Sequence, residues 1–259
     1  MLPTLIELAT LHRADKWNSH WYAQHYDRHF LHLRGEPINL LEIGVGGYSE
    51  PDQGGASLCM WRDYFPHARI HGLDLHPKAG LEGDRIRIFQ GDQTDRACLE
   101  ALVAETGPLD IVVDDGSHVS AHVIATFEIL FPLLRSNGMY AVEDVQTSYW
   151  PSWGGSLDRD ASTTSMGFLK ERVDGLNYPE LPEPSYVPSY FDRNIVGVSF
   201  YHGLAIIQKG EHREASNWIP ATGPRRDKII EQLRTVSDDP VSPLGGQAWT
   251  RSWNPRTKR

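Results

Sequence analysis

The sequence predicts an α/β protein with a Rossmann-like, doubly wound sheet of seven mostly parallel strands and a C-terminal β-hairpin. From Ile38 onward, short apolar runs alternate with stretches whose apolar residues recur at helical spacing. This alternation is typical of parallel strands joined by helices that cover both faces of a sheet. Further along the chain, two alternating apolar runs are separated by His202 and Gly203, which indicates the hairpin.

Five strands and three helices account for the region from Ile38 to about residue 146. The runs typical of strands are INLLEIGVGG, ARIHGLDL, IRIFQGD, LDIVVDDG and GMYAVEDV. The stretches with helical spacing are ASLCMWRDYF, RACLEALVAE and AHVIATFEILFPLL. Asn137 and Gly138 predict a turn into the fifth strand. The run NIVGVSFYHGLAIIQKG then supplies the two strands of the hairpin, which completes a sheet of seven.

The chain is expected to form one domain over residues 1–259, because a chain of this length can bury a sizeable core. Residues 1–37 are predicted to be an N-terminal helical segment that starts with a short amphipathic helix. Residues from about 150 to 195 combine SWGGSLDRDAST, the helix-like MGFLKERVDGL and the proline-rich NYPELPEPSYVPSYF. We interpret this stretch as a lid or insertion over the edge of the sheet.

Composition restricts the partners and the compartment of the protein. A net charge of −9 argues against nucleic acid, whose phosphates bind clustered Lys and Arg. No apolar stretch approaches the roughly 20 residues of a membrane span and no signal peptide is visible, so we expect a cytoplasmic protein without a membrane partner. Cys59 and Cys98 lack metal-ligand spacing and are expected to be core thiols. The basic tail RSWNPRTKR is interpreted as a solvated terminus.

A cofactor site is predicted where the first three strands end, because open α/β sheets bind ligands at the carboxyl ends of their strands. The first strand leads into the glycine-rich run EIGVGG, a signal that suits a dinucleotide equally well. Asp74 is placed to bind both ribose hydroxyls, and Asp92 and Gln93 to bind an adenine amino group. Alternatively, Asp74 and Asp92 only cap the helices that follow. The long polar stretch before the helix at Ser57 favours S-adenosylmethionine over NAD.

A metal and proton-transfer site is predicted at the ends of the fourth and fifth strands. Asp115 follows one strand and Glu143 and Asp144 follow the other, so we expect these carboxylates to converge on Mg²⁺, which prefers oxygen ligands. His118 lies on the turn that leaves the fourth strand, where a histidine is suited to be the general base. His122 is the competing candidate for this base. In the alternative interpretation, the acids are helix caps or ion-pair partners.

Three aromatic residues, Tyr149, Trp150 and Trp153, follow the fifth strand. Aromatic rings stack on the apolar C–H faces of sugars, which favours a sugar as the acceptor. Packing of the rings within the lid explains their presence equally well.

Seven segments, in order between residues 15 and 210, are shared with one known family. They are ADKWNSHWYAQHYDRHF, LEIGVGGYSEPDQGGASLCMWRDYFP, GLDL, GDQTD, DIVVDDGSHVSAHV, YAVEDVQTSYWPSWGG and VSFYHGLAIIQKG. The chain thereby resembles the metal-dependent sugar O-methyltransferases of macrolide biosynthesis, class I S-adenosylmethionine-dependent enzymes typified by those of mycinamicin and tylosin. DDGSH followed by EDVQTSYW is the most specific part of this resemblance.

The resemblance implies S-adenosylmethionine and Mg²⁺ as cofactors, with His118 as the general base. It implies metal ligation by Asp115, Glu143 and Asp144. It implies cofactor contacts from Glu42, Gly44, Asp74, Asp92 and Gln93, with Ser57, Lys16, His20 and Tyr26 lining the pocket. We add Asp114, near the end of the fourth strand, to the cofactor set.

The acceptor that the resemblance implies is a sugar hydroxyl of a glycoside, an oligosaccharide or a polysaccharide precursor. A macrolide sugar, a rhamnosyl group and a mannoside all fit this description. Two alternatives stay open: a catechol-like small-molecule O-methyltransferase, and a protein that binds S-adenosylmethionine as a partner subunit without catalysis. A homodimer is expected, because the N-terminal helices have an amphipathic pattern.

Overall fold

The computed structural model describes residues 2–183 and 185–234, so the tail RSWNPRTKR lies outside the described residues. The described chain forms a seven-stranded sheet of order β3-β2-β1-β4-β5-β7-β6. Its strands are β1 (Asn39–Ile43), β2 (Arg69–Asp74), β3 (Ile86–Gln90), β4 (Leu109–Asp114), β5 (Leu134–Glu143), β6 (Ile195–Tyr201) and β7 (Leu204–Lys209). Strands β1 to β5 pair in parallel, and β7 is antiparallel to both β5 and β6. The predicted fold class and its hairpin are confirmed.

The described residues contain eight α-helices. They are α1 (Leu5–His12), α2 (Ala23–Phe30), α3 (Ala56–Tyr64), α4 (Arg96–Thr106), α5 (Ser120–Leu133), α6 (Ser165–Gly175), α7 (Tyr190–Asn194) and α8 (Pro224–Arg234). The three predicted crossover helices correspond to α3, α4 and α5. Asp95 caps α4, since its side chain accepts hydrogen bonds from the backbone N–H groups of Ala97 and Cys98.

Both faces of the sheet are covered, because successive side chains of a strand point to opposite sides. Leu40 and Ile70 pack into a cluster with residues of α1, α2 and α3. Leu41 and Leu73 pack into a second cluster with residues of α4, α5 and α6. Strand β1 is buried along its whole length, so Glu42 near its end is a buried acid.

The predicted turn at Asn137 and Gly138 is wrong as a strand boundary. Strand β5 already begins at Leu134, which pairs with Leu109 of β4, and its next partner pair is Ile111 and Met139. The extra residues of β5 form an irregularity within the strand, where Asn137 takes up a left-handed φ of 67°. An Asn–Gly pair suits such a conformation as well as it suits a turn.

The N-terminal segment and the stretch from about 150 to 195 pack onto the helices that cover the two faces of the sheet. In the N-terminal segment, α1 begins with a capping box at Thr4 and packs on α3. In the stretch from 150 to 195, α6 packs against α5 and the edge strand β6, and it buries Phe168 and Leu169. This stretch therefore covers the edge of the sheet, whereas the limits of the domain stay a prediction.

Cys59 and Cys98 are free, half-buried thiols. Among the described helices, none is both long and apolar enough to cross a membrane.

Candidate active site

The predicted site residues gather around a cleft at the carboxyl ends of the parallel strands. Its volume of about 750 Å³ lies in the range of small-molecule sites. The predicted residues that line the cleft are Gly44, Asp74, Asp92, Gln93, Asp115, His118, His122 and Asp144. The predicted residues that lie behind its wall are Lys16, Tyr26, Glu42, Ser57, Asp114 and Glu143. We call the part at the ends of β1 to β3 the β1–β3 half, and the part at the ends of β4 and β5 the β4–β5 half.

The loop after β1 depends on glycine at two positions. Gly44 has a φ of +86°, and a Cβ there would lie 2.1 Å from the carbonyl oxygen of Asp115. Gly47 has a φ of +75°, and a Cβ there would lie 2.2 Å from the carbonyl oxygen of Gln53. The positive φ and the close carbonyl oxygen both exclude a side chain at these two positions. With glycine at Gly44 the loop lies directly against the loop after β4, and with glycine at Gly47 it folds back on itself.

Asp74 and Asp92, the two acids of the β1–β3 half, are held by their own loops. Asp74 accepts hydrogen bonds from the backbone N–H groups of Val45 (3.0 Å) and His76 (2.8 Å). One oxygen of Asp92 accepts from both the N–H and the hydroxyl of Thr94, each at 2.8 Å. These bonds lower the pKa of the Asp92 carboxyl. Both acids thus organise turns and line the cleft. The alternative that they only cap the following helices is wrong, since Asp95 and not Asp92 caps α4, and Lys78 and not Asp74 precedes the short 3-10 helix Ala79–Leu81.

Gln93 and Asp114 form the floor between the two halves. Gln93 donates from Nε2 to Asp114 (3.2 Å) and to Thr126 (3.0 Å), and its Oε1 accepts from the N–H of Ser117 (2.8 Å). Tyr140 donates its hydroxyl to the other oxygen of Asp114 at 3.3 Å. Burial raises the pKa of Asp114 to about 7. Gln93 therefore lines the cleft, while its polar atoms are bonded within the protein. Asp114 is buried beneath Gln93 and does not line the cleft.

Three side chains of the β4–β5 half surround a gap suited to a cation. Ligand atoms of Asp115, His118 and Asp144 all lie within 4.8 Å of one another. Nε2 of His118 is 4.0 Å from Oδ1 of Asp115 and 3.7 Å from Oδ2 of Asp144. His118 and Asp144 both have left-handed backbones, with φ of 56° and 51°. Such strain in residues other than glycine is found most often at functional sites.

Side chains from the N-terminal segment hold Asp144 in place. Tyr22 donates its hydroxyl to Asp144 at 2.7 Å, and Gln146 donates to the same oxygen at 3.1 Å. Although burial opposes the effect, these bonds lower the pKa of the Asp144 carboxyl. The ring of His20 stacks on Tyr22, with centroids 4.7 Å apart, and its Nδ1 lies 3.7 Å from Asp144. Asp144 therefore keeps its charge at the edge of the gap.

A buried ammonium group lies behind the gap. Lys16 is fully buried, and its Nζ contacts Asp115, Glu143 (3.0 Å) and Glu42 (3.4 Å). Burial alone would lower the pKa of Lys16, but these carboxylates raise it well above its ordinary value. Lys16 reaches this position because the segment between α1 and α2 folds around its carbonyl oxygen, which accepts hydrogen bonds from Tyr22 and Ala23.

Glu143 faces this ammonium group and not the gap. Tyr26 donates its hydroxyl to one oxygen of Glu143 at 2.7 Å, and Lys16 lies beside the other. Burial and the neighbouring Asp115 raise the pKa of Glu143. Burial also raises the pKa of Glu42 to about 7, although Trp61 donates to its Oε2 at 3.0 Å and Ser57 also bonds to the carboxyl. The cluster holds more carboxyl groups than the single ammonium of Lys16 can neutralise.

His122, the competing candidate for the base, and Trp153, one of the three aromatic residues, lie in different parts of the cleft. Nδ1 of His122 shares a hydrogen bond with Oγ of Ser117 at 2.9 Å, on the side of the cleft that leads to Asp92. Of the three aromatic residues after β5, all of them described, Trp153 alone lines the cleft. Its ring centroid lies 5.9 Å from that of His118. Trp153 is therefore the ring available to a ligand in the β4–β5 half.

Sequence reasoning missed the support that Tyr22 and Gln146 give to Asp144. Tyr22 lies 122 residues from Asp144 along the chain, so no local pattern connects the two. Gln146 is two residues from Asp144 and belongs to the EDVQTSYW motif. The left-handed backbone of Asp144, which folds Gln146 back onto it, has no signal in residue type.

Comparison with known proteins finds O-methyltransferases that are similar to most of this chain. The chain is 46% identical over 223 residues to mycinamicin VI 2''-O-methyltransferase of Micromonospora griseorubida. It is 48% identical over 223 residues to demethylmacrocin O-methyltransferase of Streptomyces fradiae. Over the matched region, the chain is similar to both of these O-methyltransferases. Each match covers 84% of this chain and 56% of the relative, so the chain spans about half the length of the curated relatives it matches.

A solved structure is similar to the chain over much the same extent. MycE methyltransferase from the mycinamycin biosynthetic pathway, in complex with Mg and SAH, superposes with a TM-score of 0.81 at 44% identity. The superposition covers 88% of this chain and 59% of that chain. No protein-family model matches the chain.

Proposed function

We propose that this protein transfers a methyl group from S-adenosylmethionine to a sugar hydroxyl of a glycoside or oligosaccharide, with the help of a divalent cation. The observation that carries the proposal is the continuity of one cleft. Its β1–β3 half offers a glycine loop and the side chains of Asp74 and Asp92, and its β4–β5 half offers the gap among Asp115, His118 and Asp144. The names of the matched relatives, which are sugar O-methyltransferases, support it.

S-adenosylmethionine is assigned to the β1–β3 half. The loop from Gly44 to Gly47 lets the backbone approach the cofactor closely. Asp74 still has lone pairs for ribose hydroxyls beyond its two backbone bonds, and Asp92 has a second oxygen for the adenine amino group. The predicted cofactor residues that are buried behind the cleft wall do not contact the cofactor in this proposal. They hold the strand ends that it contacts, and they are Glu42, Ser57, Asp114, Lys16 and Tyr26.

The cation is assigned to the gap of the β4–β5 half, and the donor set fits it. Asp115 and Asp144 offer carboxylate oxygens, and the cluster behind them has an excess of acids. Mg²⁺ prefers such oxygen ligands and completes its coordination with water and substrate oxygens. When bound, the cation is a Lewis acid that polarises a hydroxyl group. Glu143 contributes charge from behind, since its oxygens are engaged by Tyr26 and Lys16.

His118 is assigned as the general base. Its Nε2 faces the gap, between the two acids that would hold the cation. In the proposed step, the acceptor oxygen bonds to the methyl carbon while the bond from that carbon to the sulfonium sulfur breaks and S-adenosylhomocysteine leaves. The hydroxyl proton passes to Nε2 of His118. Trp153 lies beside His118 and offers an apolar face to the sugar ring.

The proposal also includes a cytoplasmic location and a homodimer. The free thiols of Cys59 and Cys98 suit a reducing compartment. Leu2 and Leu11, at the two ends of the first helical region, expose 62% and 70% of their surfaces and offer apolar area to a second copy. Sedimentation analysis tests the dimer directly, and a monomer at micromolar concentration contradicts it.

The deciding experiment is methyl transfer from labelled S-adenosylmethionine to macrolide glycosides, rhamnosides, mannosides and catechols, with Mg²⁺ and with EDTA. Labelling of a glycoside that is lost in EDTA is the expected result. Labelling that persists in EDTA contradicts the role of the cation, and labelling of catechols alone contradicts the sugar. Binding of S-adenosylhomocysteine without any transfer would indicate a non-catalytic protein.

A further inference from the structure

Lys78 is a buried lysine without a carboxylate partner among the described residues. It lies just after β2, with 1% of its surface exposed. Its Nζ donates hydrogen bonds to the backbone carbonyl oxygens of Glu50 (2.5 Å) and Gln53 (3.0 Å). Lysine is almost never fully buried unless its ammonium group is bonded, so these two bonds are what keeps it there.

The two carbonyl groups belong to the exposed loop of residues 46–55, which forms one wall of the cleft. Gly46, Gly47 and Tyr48 line the cleft, and most of the loop is exposed to solvent. Gln53 is the link from Lys78 to this wall, because its carbonyl oxygen also packs directly against Gly47. A displacement of Gln53 would therefore displace the cleft wall at Gly47.

The loop has little else to fix its shape. Its own backbone bonds run from Glu50 to Gly47 (3.1 Å) and from Gln53 to Glu50 (3.3 Å). A third, from Gly55 to Val45 at 2.7 Å, closes its base. Its left-handed residues include Tyr48, with φ of 48°, which is an unfavourable conformation for a side chain of that size. An anchor beneath the loop is needed to hold such a backbone.

We propose that Lys78 is a positioning residue for the cofactor: it holds the loop of residues 46–55 in the shape that binds S-adenosylmethionine. The inference rests on the proposed function and deepens it. Preorganisation of a loop raises affinity because the ordering entropy is lost on folding and not on binding. Loss of the anchor is therefore expected to weaken cofactor binding, while the residues of the β4–β5 half keep their positions.

Lys209 offers a matched control. It is also buried, and its Nζ donates to the carbonyl oxygens of Phe131 (3.0 Å), Pro132 (2.8 Å) and Leu134 (2.7 Å). These groups lie where α5 ends and β5 begins, at the end of the sheet opposite the cleft. Replacement of Lys209 thus removes a buried lysine of the same kind without touching the cleft.

The test compares the full-length wild type with Lys78→Met, Lys78→Arg and Lys209→Met. S-adenosylhomocysteine is titrated by calorimetry below the unfolding temperature of each protein. We expect Lys78→Met to raise the dissociation constant about tenfold or more, Lys78→Arg to recover part of the loss, and Lys209→Met to bind like the wild type. Kinetics are expected to show a higher KM for S-adenosylmethionine in Lys78→Met, with kcat at saturation nearly unchanged.

Wild-type affinity in Lys78→Met, or an equal loss in Lys209→Met, overturns the inference. If Lys78→Met does not fold, Lys78→Gln replaces it, because the shorter side chain of Gln cannot bond to both carbonyl oxygens. Weaker binding by Lys78→Gln, with faster cleavage by an endoprotease specific for Glu at Glu50, supports the inference. Wild-type affinity overturns it, whatever the rate of cleavage. A wild-type protein that does not bind S-adenosylhomocysteine contradicts the proposed function itself, which is a different outcome.

Discussion

The two halves of the cleft hold their acids in different ways. In the β1–β3 half, Asp74 and Asp92 are bonded by N–H groups of residues on their own and neighbouring loops. In the β4–β5 half, Asp115 and Asp144 are bonded by side chains from the N-terminal segment, Lys16 and Tyr22. The first arrangement is fixed as soon as the loops form, whereas the second depends on the docking of a distant segment.

The two halves also differ in charge balance. Hydrogen bonds keep Asp92 ionised, which suits the neutral hydroxyl and amino groups of a nucleoside. Burial raises the pKa values of Glu42 and Glu143, which share the ammonium of Lys16 with Asp115. An excess of buried acids is costly unless a further cation or proton is present. The β1–β3 half therefore needs no further charge to hold its acids, while the β4–β5 half depends on positive charge.

The largest expected effect is on kcat, and it comes from a substitution in the β4–β5 half that leaves cofactor binding in the β1–β3 half unchanged. His118→Asn is expected to lower kcat about 10³-fold, because it removes the proposed base while Asn tolerates the left-handed backbone. S-adenosylhomocysteine affinity, measured by calorimetry, should stay at the wild-type value. His122→Ala is the control in the same cleft, and a larger loss of kcat there would identify His122 as the base.

The second prediction concerns the ammonium group of the β4–β5 half. Lys16→Met is expected to lower the free energy of unfolding by about 3 kcal/mol, because it leaves buried carboxylates without their partner. Urea denaturation in EDTA measures this loss, and Mg²⁺ should restore more stability to the variant than it adds to the wild type. Lys170→Met, at a partly exposed lysine, is the control. Equal losses in the two variants would contradict the role given to Lys16.

The third prediction uses pH. The pKa of Glu42 is raised from 4.5 to about 7 in the folded protein, so between these values the folded state binds the proton and the unfolded state releases it. Stability from this group is therefore present below pH 4.5 and lost as the pH rises to 7, by about 3 kcal/mol in total. Glu42→Gln should remove that part of the slope in urea denaturation at pH 5, 6 and 7 in EDTA. Parallel slopes for both proteins would refute it.

The smallest expected effect lies in the β1–β3 half. Asp74→Asn is expected to weaken S-adenosylhomocysteine binding about tenfold, because the amide keeps one acceptor and loses the charge. Calorimetry measures the affinity. Asp95→Asn is the matched control, since Asn caps α4 as well as Asp does and Asp95 does not line the cleft. A loss of equal size in both variants would show that Asp74 is only a cap.

The same contrast explains how much of the molecule the sequence predicts. Helix α3 was expected over 56–65 and is found over Ala56–Tyr64, because its apolar spacing is a local property. Asp74 and Asp92 line the cleft because both lie at strand ends, whose positions also follow from local patterns, while their contacts with the cofactor stay a prediction. Asn137 was assigned to a turn because a strand irregularity and a turn use the same residue types.

The β4–β5 half was harder to predict, because its order comes from contacts between distant residues. The sequence indicates that Glu143 and Asp144 follow the same strand, but not that the backbone at Asp144 is left-handed. That conformation points neighbouring side chains in different directions, so Asp144 faces the gap while Glu143 faces Lys16. The resemblance indicated that Lys16 and Tyr26 lie near the site, but not that they bond to its acids.

The position of Lys16 also has a consequence for the order of folding. Lys16 and Asp115 are separated by 99 residues, and the acids around the ammonium come from the ends of β1, β4 and β5. These ends meet only after the central strands have paired, and closure of such a long loop is entropically unfavourable. The contacts of Lys16 with these acids can therefore form only after the strand ends have come together. Until they form, the acids at the ends of β1, β4 and β5 lack the ammonium group that balances their charge in the folded protein.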